Sequence, residues 1–150
     1  MESSIKNLDL FNNLNENEIA ILLEVHKLLS FKKDHLIIEE SNIEFDFYLL
    51  ASGRVSVEMN APGMPDGKEQ KQITVLNPGE SFGEITFLEG MRRSANIRAL
   101  TDVTVMRFDG QELHSILEKE TKIGYIFMKN LSTILSRRVR DLNFKWRNQC

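Results

Sequence analysis

From Ser30 to Phe108 the chain divides its apolar residues into short runs instead of gathering them at helical spacing. His35–Glu39, Phe45–Ala51, Arg54–Met59, Gln72–Leu76, Ala95–Leu100 and Val103–Phe108 are rich in Val, Ile and Phe. β-Branched and aromatic side chains suit a pleated, half-buried surface, and runs this short with turn residues between them predict antiparallel strands. Gly53, Gly79, Gly83 and Gly90 fall at or beside the breaks. A strand and a turn every ~8–12 residues fit a sandwich, barrel or roll. Between Met59 and Lys71, the stretch Asn60-Ala-Pro-Gly-Met-Pro-Asp-Gly-Lys carries two prolines and an Asp-Gly pair, the composition of a long hairpin tip.

Helical patterns flank this region. Asn15 and Glu18 match a capping box, and Ile19, Leu22 and Leu23 follow at helix spacing, which predicts an N-terminal helix before the pattern changes after Ser30. Asp109 and Glu112 repeat the box ahead of Leu113, Ile116 and Leu117. From Thr121 to Arg147 a longer helix is expected, because Met128, Leu131, Leu135, Val139, Leu142 and Trp146 recur at steps of three and four residues. A chain of 150 residues can bury one core. The expectation is therefore a single domain over residues 1–150 of mainly β class with helices (α+β). Its N-terminal helix and β region span roughly 10–108 and its C-terminal helices 109–147.

Composition narrows the function. The formal net charge of −3 argues against a whole-surface attraction to nucleic acid or anionic lipid, so any phosphate site must be local. No run is long enough to span a membrane. The polar, acidic first ten residues lack the basic and apolar regions of a secretory signal, and the expected compartment is cytoplasmic. Cys150 is the only cysteine, and His26, His35 and His114 are scattered without a His-x-His pair. No metal site, cofactor or catalytic set is expected, and the chain reads as a non-enzyme. The basic residues Arg137, Arg138, Arg140, Lys145 and Arg147, against Asp141, sit near the end of the long helix. Contact with nucleic acid is one reading of them, and complementing the helix dipole is the one favoured.

One stretch interrupts the strand series: Pro78-Gly79-Glu80-Ser81-Phe82-Gly83-Glu84-Ile85-Thr86-Phe87-Leu88-Glu89-Gly90-Met91-Arg92-Arg93-Ser94-Ala95-Asn96. Gly83 allows a tight backbone, and Glu84 to Leu88 can form one or two helical turns whose amides favour an anion at their start. Arg93 can fork two charge-assisted hydrogen bonds onto a phosphate, and Ser94 adds a hydroxyl and an amide. An acid and an arginine on opposite walls of such a loop suit a ligand with a sugar hydroxyl at one end and a phosphate at the other. A cyclic nucleotide has both.

Phe82-Gly-Glu-Ile with Arg93-Ser-Ala resembles the phosphate-binding cassette of cyclic-nucleotide-binding domains. The likeness continues through Phe47–Val57, Leu76-Asn-Pro-Gly79 and the Val103–Phe108 segment with the helices after it. Within that family it is most similar to the sensor half of the catabolite activator protein and its relatives. The resemblance implies an eight-stranded antiparallel β-roll of the double-stranded β-helix, or jelly-roll, type. An N-terminal helix, a short cassette helix and two C-terminal helices would accompany it. It further implies that Glu84 accepts the ribose 2′-hydroxyl and that Arg93 pairs with the exocyclic phosphate oxygens. Gly83 and the amides near Ile85 and Thr86 would complete the cradle, with Ser94 and Ala95 as further donors and Leu142 and Asn143 at the base. The implied ligand is cAMP or cGMP, and the implied partners are a second copy through the C-terminal helix and an unspecified downstream protein. Too few residues follow Ser136 for a helix-turn-helix, so sequence-specific DNA binding is not expected. Thr86 stands where the family usually has Ala or Gly. With the missing output domain, it keeps open an alternative: a ligand-free interaction or dimerisation domain with a degenerate form of the fold.

Overall fold

A computed structural model describes residues 8–39, 44–60, 70–90 and 95–148. The middle of the chain forms two four-stranded antiparallel sheets. One has the order β1-β8-β3-β6, built from β1 (His26–Phe31), β3 (Phe47–Ser52), β6 (Ser81–Phe82) and β8 (Val103–Phe108). The other has the order β2-β7-β4-β5, from β2 (Leu36–Ile38), β4 (Val55–Asn60), β5 (Gln70–Leu76) and β7 (Asn96–Ala99). Each of the six runs read from the sequence overlaps one of these strands, to within two residues at either end. The strands β4 and β5 pair as far as Asn60 opposite Gln70, as two arms of a hairpin do, and the tip itself lies outside the described residues.

The core follows from side-chain alternation. Tyr48 and Leu50 of β3, Val103 and Val105 of β8, and Phe82 of β6 join Ile38, Val55, Leu76, Ile97 and Ala99 of the other sheet in one buried cluster. Phe47 and Leu49 alternate to the opposite face of β3 and are buried there as well. This central strand is thus covered on both faces, which explains its unbroken run of apolar residues.

Two strands differ from the sequence expectation. The change from helix to strand comes at His26, not after Ser30, because β1 (HKLLSF) is an edge strand with no fully buried residue, and its polar His26, Lys27 and Ser30 break the apolar signal. The two-residue β6 lies inside the cassette stretch, pairing Tyr48 with Phe82 and Leu49 with Ser81.

The helices are α1 (Glu16–Leu23), α2 (Glu84–Glu89), α3 (Gly110–Lys119) and α4 (Thr121–Asn148), with a 3-10 turn at Asp9–Phe11. The first capping box is complete: the Glu18 amide donates to Asn15 Oδ1 and the Asn15 amide to Glu18 Oε1, both at 2.9 Å. At the second, the Glu112 amide donates to Asp109 Oδ1 at 2.9 Å. The chain resolves into two compact units, Val25–Glu112 carrying both sheets and the helical segments on either side of it in sequence. Within the helical unit the Asn130 side chain donates to the Leu10 and Asn12 carbonyls at 2.9 and 2.8 Å, and Lys122 Nζ lies 3.3 Å from Glu18 Oε2.

Candidate functional site

The cassette is built from its ends inward. A turn closes over Asn77 to Glu80, where the Glu80 amide donates to the Asn77 carbonyl and the Asn77 amide to Glu80 Oε2 at 2.7 Å. Two backbone bonds tie this turn to β3: Leu50 donates to the Glu80 carbonyl and Gly79 to the Leu50 carbonyl, at 2.9 and 2.8 Å. Phe82 then stacks on Tyr48 with ring centroids 4.9 Å apart. The stretch enters α2 from a fixed position on the roll.

Gly83 caps α2 with φ of 81°, a left-handed conformation that a Cβ would strain. The helix is short because Gly90 ends it in the same region, its amide donating to the Thr86 carbonyl at 2.7 Å. First-turn amides of a helix point along its axis at the N-terminal end, where the macrodipole favours negative charge. Phe87 anchors the inner side, buried and edge-on to Phe47 at 5.6 Å.

Four of the expected site residues therefore come together on one element: Gly83 as the cap, Glu84 and Thr86 buried, and Ile85 exposed. Glu84 is only 8% exposed. A carboxylate is seldom buried unless its environment compensates the charge. Ala95 stands immediately before β7, half-buried, with the buried Asn96 next to it. Arg93 and Ser94 lie outside the described residues. Leu142 and Asn143 are on α4 in the helical unit, both exposed, Leu142 by 63%. The three histidines do not form a cluster: His26 packs on Phe108 and His35 on Phe31. Among the described residues no group of three or more His, Cys, Asp or Glu is placed to hold a metal ion, and no helix is long and apolar enough to cross a membrane.

The family of this roll is given by comparison. The sequence model described as the cyclic nucleotide-binding domain matches residues 28–120, all eight strands but the first two residues of β1, together with α2 and α3. The chain belongs to that family. Among the relatives of this cyclic nucleotide-binding domain, a CRP-like cAMP-activated global transcriptional regulator of Mycobacterium tuberculosis is 24% identical over 95% of the chain. A cGMP-dependent protein kinase of Plasmodium berghei is 28% identical over the same share. The chain spans 60% of the regulator's length and 15% of the kinase's. A solved cyclic nucleotide-binding domain from Methylobacillus flagellatus shares its fold with a TM-score of 0.85 at 20% identity, covering 99% of this chain and 81% of that one.

Residue-by-residue reading of the sequence missed two ion pairs in the domain. Arg98 of β7 reaches across to Glu58 of β4, Nε to Oε1 at 3.1 Å, and donates to the Asp34 carbonyl at 3.0 Å. At the end of β8, Arg107 Nε and Nη2 both lie 2.6 Å from Asp46 Oδ2, while the Gly110 amide donates to Asp46 Oδ1 at 2.9 Å. Burial works against the Arg107 charge, but the Asp46 hydrogen bond and the nearby Tyr48, Asp46 and Glu44 outweigh it and raise the guanidinium further above its ordinary range. The signal for these pairs is strand register, which brings Tyr48 opposite Arg107 and Ser56 opposite Arg98.

Proposed function

We propose that this chain is a regulatory sensor that binds cAMP or cGMP in the cassette and passes the binding event to its C-terminal helices. The observation that carries the reading is Glu84, a buried carboxylate at the first position of α2 directly after a left-handed glycine. In this reading Glu84 accepts the ribose hydroxyl, and Gly83, Ile85 and Thr86 supply the cradle. Arg93, Ser94 and Ala95 take the phosphate, while Leu142 and Asn143 meet the base. Binding displaces α2 and the Asp109–Gly110 hinge, and the C-terminal helices re-dock. The module performs no reaction. A homodimer through the exposed stripe of α4 belongs to the same reading.

Support for the ligand class comes from the family, and the two relatives above carry different nucleotides in their names. The discriminating experiment is calorimetric titration of the chain with cAMP and with cGMP in parallel. Arg93→Ala is expected to weaken binding by about thirtyfold to several thousandfold, the loss of one buried charge-assisted contact. Equal affinity in the variant removes Arg93 from the site. In a thermal-shift series, nucleotide at a hundred times its dissociation constant raises stability by about 2.7 kcal/mol. The absence of any shift with either nucleotide favours the ligand-free interaction domain instead.

A further inference from the structure

We infer that Asp46 is a positioning residue that latches the first turn of α3 to the roll and passes displacements of α2 on to it. Its two carboxylate oxygens are divided between two elements. Oδ2 is gripped by both Nε and Nη2 of Arg107, near the end of β8, and Oδ1 accepts the amide of Gly110, the first residue of α3. The side chain is only 15% exposed, so water competes poorly for these bonds and the acid caps a helix start with the favourable sign of charge. Packing leaves no slack there. A Cβ on Gly110 would lie 2.5 Å from the Phe45 carbonyl oxygen, so the start of α3 is pressed against the backbone that carries Asp46.

The route to the cassette runs through the residues adjacent in sequence. Phe47 follows Asp46 and Phe108 follows Arg107, and the two sit opposite each other in the β3–β8 ladder with rings edge-on at 6.1 Å. Phe47 also meets Phe87 of α2 at 5.6 Å, and all three rings are buried. Close-packed interiors resist continuous deformation. A shift of Phe87 therefore has to be taken up by Phe47 and Phe108, and so by the carboxylate–guanidinium pair attached to them. Glu112, in the first turn of α3, is the last residue of the roll unit, so the latch acts where the chain leaves the roll. The latch itself stands on the ligand-free geometry. Only its use in signalling rests on the nucleotide-binding reading.

The test is amide hydrogen exchange, read first without nucleotide. Asp46→Ala is expected to speed exchange of the Gly110 amide by about tenfold or more relative to Val105 in the β3–β8 ladder. Asp46→Asn, which keeps the shape and one acceptor oxygen, is expected to give a smaller rise and covers the case in which the alanine variant does not fold. Phe87→Leu leaves Asp46 untouched and is expected to speed Gly110 several-fold ahead of Val105. An unchanged Gly110 rate in both Asp46 variants overturns the latch, as does a rise shared equally by every amide. An unmoved Gly110 in Phe87→Leu overturns the link to α2. With cAMP or cGMP added, the wild type should change its Gly110 rate on binding, and Asp46→Asn should bind with similar affinity while losing that change. If it binds and keeps the change, Asp46 does not transmit. If the wild type binds neither nucleotide, the functional reading fails while the ligand-free rates still decide the latch.

Discussion

The two halves of α4 carry the same apolar stripe and meet opposite surroundings. In the first half Ile123, Gly124, Phe127 and Leu131 are buried, and the N-terminal residues lie against it: Asn130 holds the Leu10 and Asn12 carbonyls and Lys122 pairs with Glu18. In the second half Val139, Leu142 and Trp146 are each more than half exposed, Trp146 by 68%. The spacing that predicts the helix does not change between them. Periodicity states which side of a helix wants cover, and only the presence of other chain at that side supplies it.

The sharpest way to break this comparison is to truncate one aromatic in each half. Phe127→Ala, at a site 1% exposed, is expected to lower unfolding free energy by about 3–5 kcal/mol in urea titration. Trp146→Ala should stay within about 0.5 kcal/mol at low protein concentration. A Trp146 penalty rising with protein concentration would mean that a second copy covers the far half, as the proposed dimer requires. Equal penalties in dilute protein would end the distinction between the halves.

A smaller effect tests what holds the near half to the N-terminal residues. Asn130→Ala removes the donor to two carbonyls at once and should cost about 1–3 kcal/mol, read from the same titrations, with Leu10 and Phe11 losing exchange protection first. If the loss is below the error of the titration, packing alone secures this half.

The smallest effect concerns Glu18. Its hydrogen bond from the Asn15 backbone amide, helped by Lys122, lowers its pKa below the ordinary 4.5. A depressed carboxylate contributes stability above its unfolded pKa and loses it as the pH falls through the lower folded value. Glu18→Gln should therefore flatten the acid limb of stability against pH below that ordinary value and leave neutral behaviour nearly unchanged. An identical acid limb in both proteins would place the acid-sensitive group elsewhere.

Features legible in the sequence are those whose partners are close along the chain. The Asn15–Glu18 and Asp109–Glu112 caps span three residues, and both read directly as helix starts. Phe82-Gly-Glu84 read as part of a cassette through its resemblance to the family, and the left-handed Gly83 followed by a short helix is a conformation set within a few residues. The cores of six strands were visible as apolar runs, while β1 was not. An edge strand needs little apolar surface, and His26, Lys27 and Ser30 conceal it.

What the chain determined by itself was therefore its helix caps and the apolar runs of six strands, because propensity, capping and turn chemistry act over a few positions. The candidate site residues were read from the likeness of the cassette stretch to the family. Tertiary structure alone decided that Asp46 and Arg107, sixty-one residues apart, share a carboxylate–guanidinium bond, and that this bond also reaches the start of α3. It alone buried Glu84 and divided the stripe of α4 into a covered half and an open one. The physical reason is common to all three. Burial and long-range charge pairing depend on which distant strands and helices are brought to the same place; for Asp46 and Arg107 it is sheet register, not local sequence, that sets the distance.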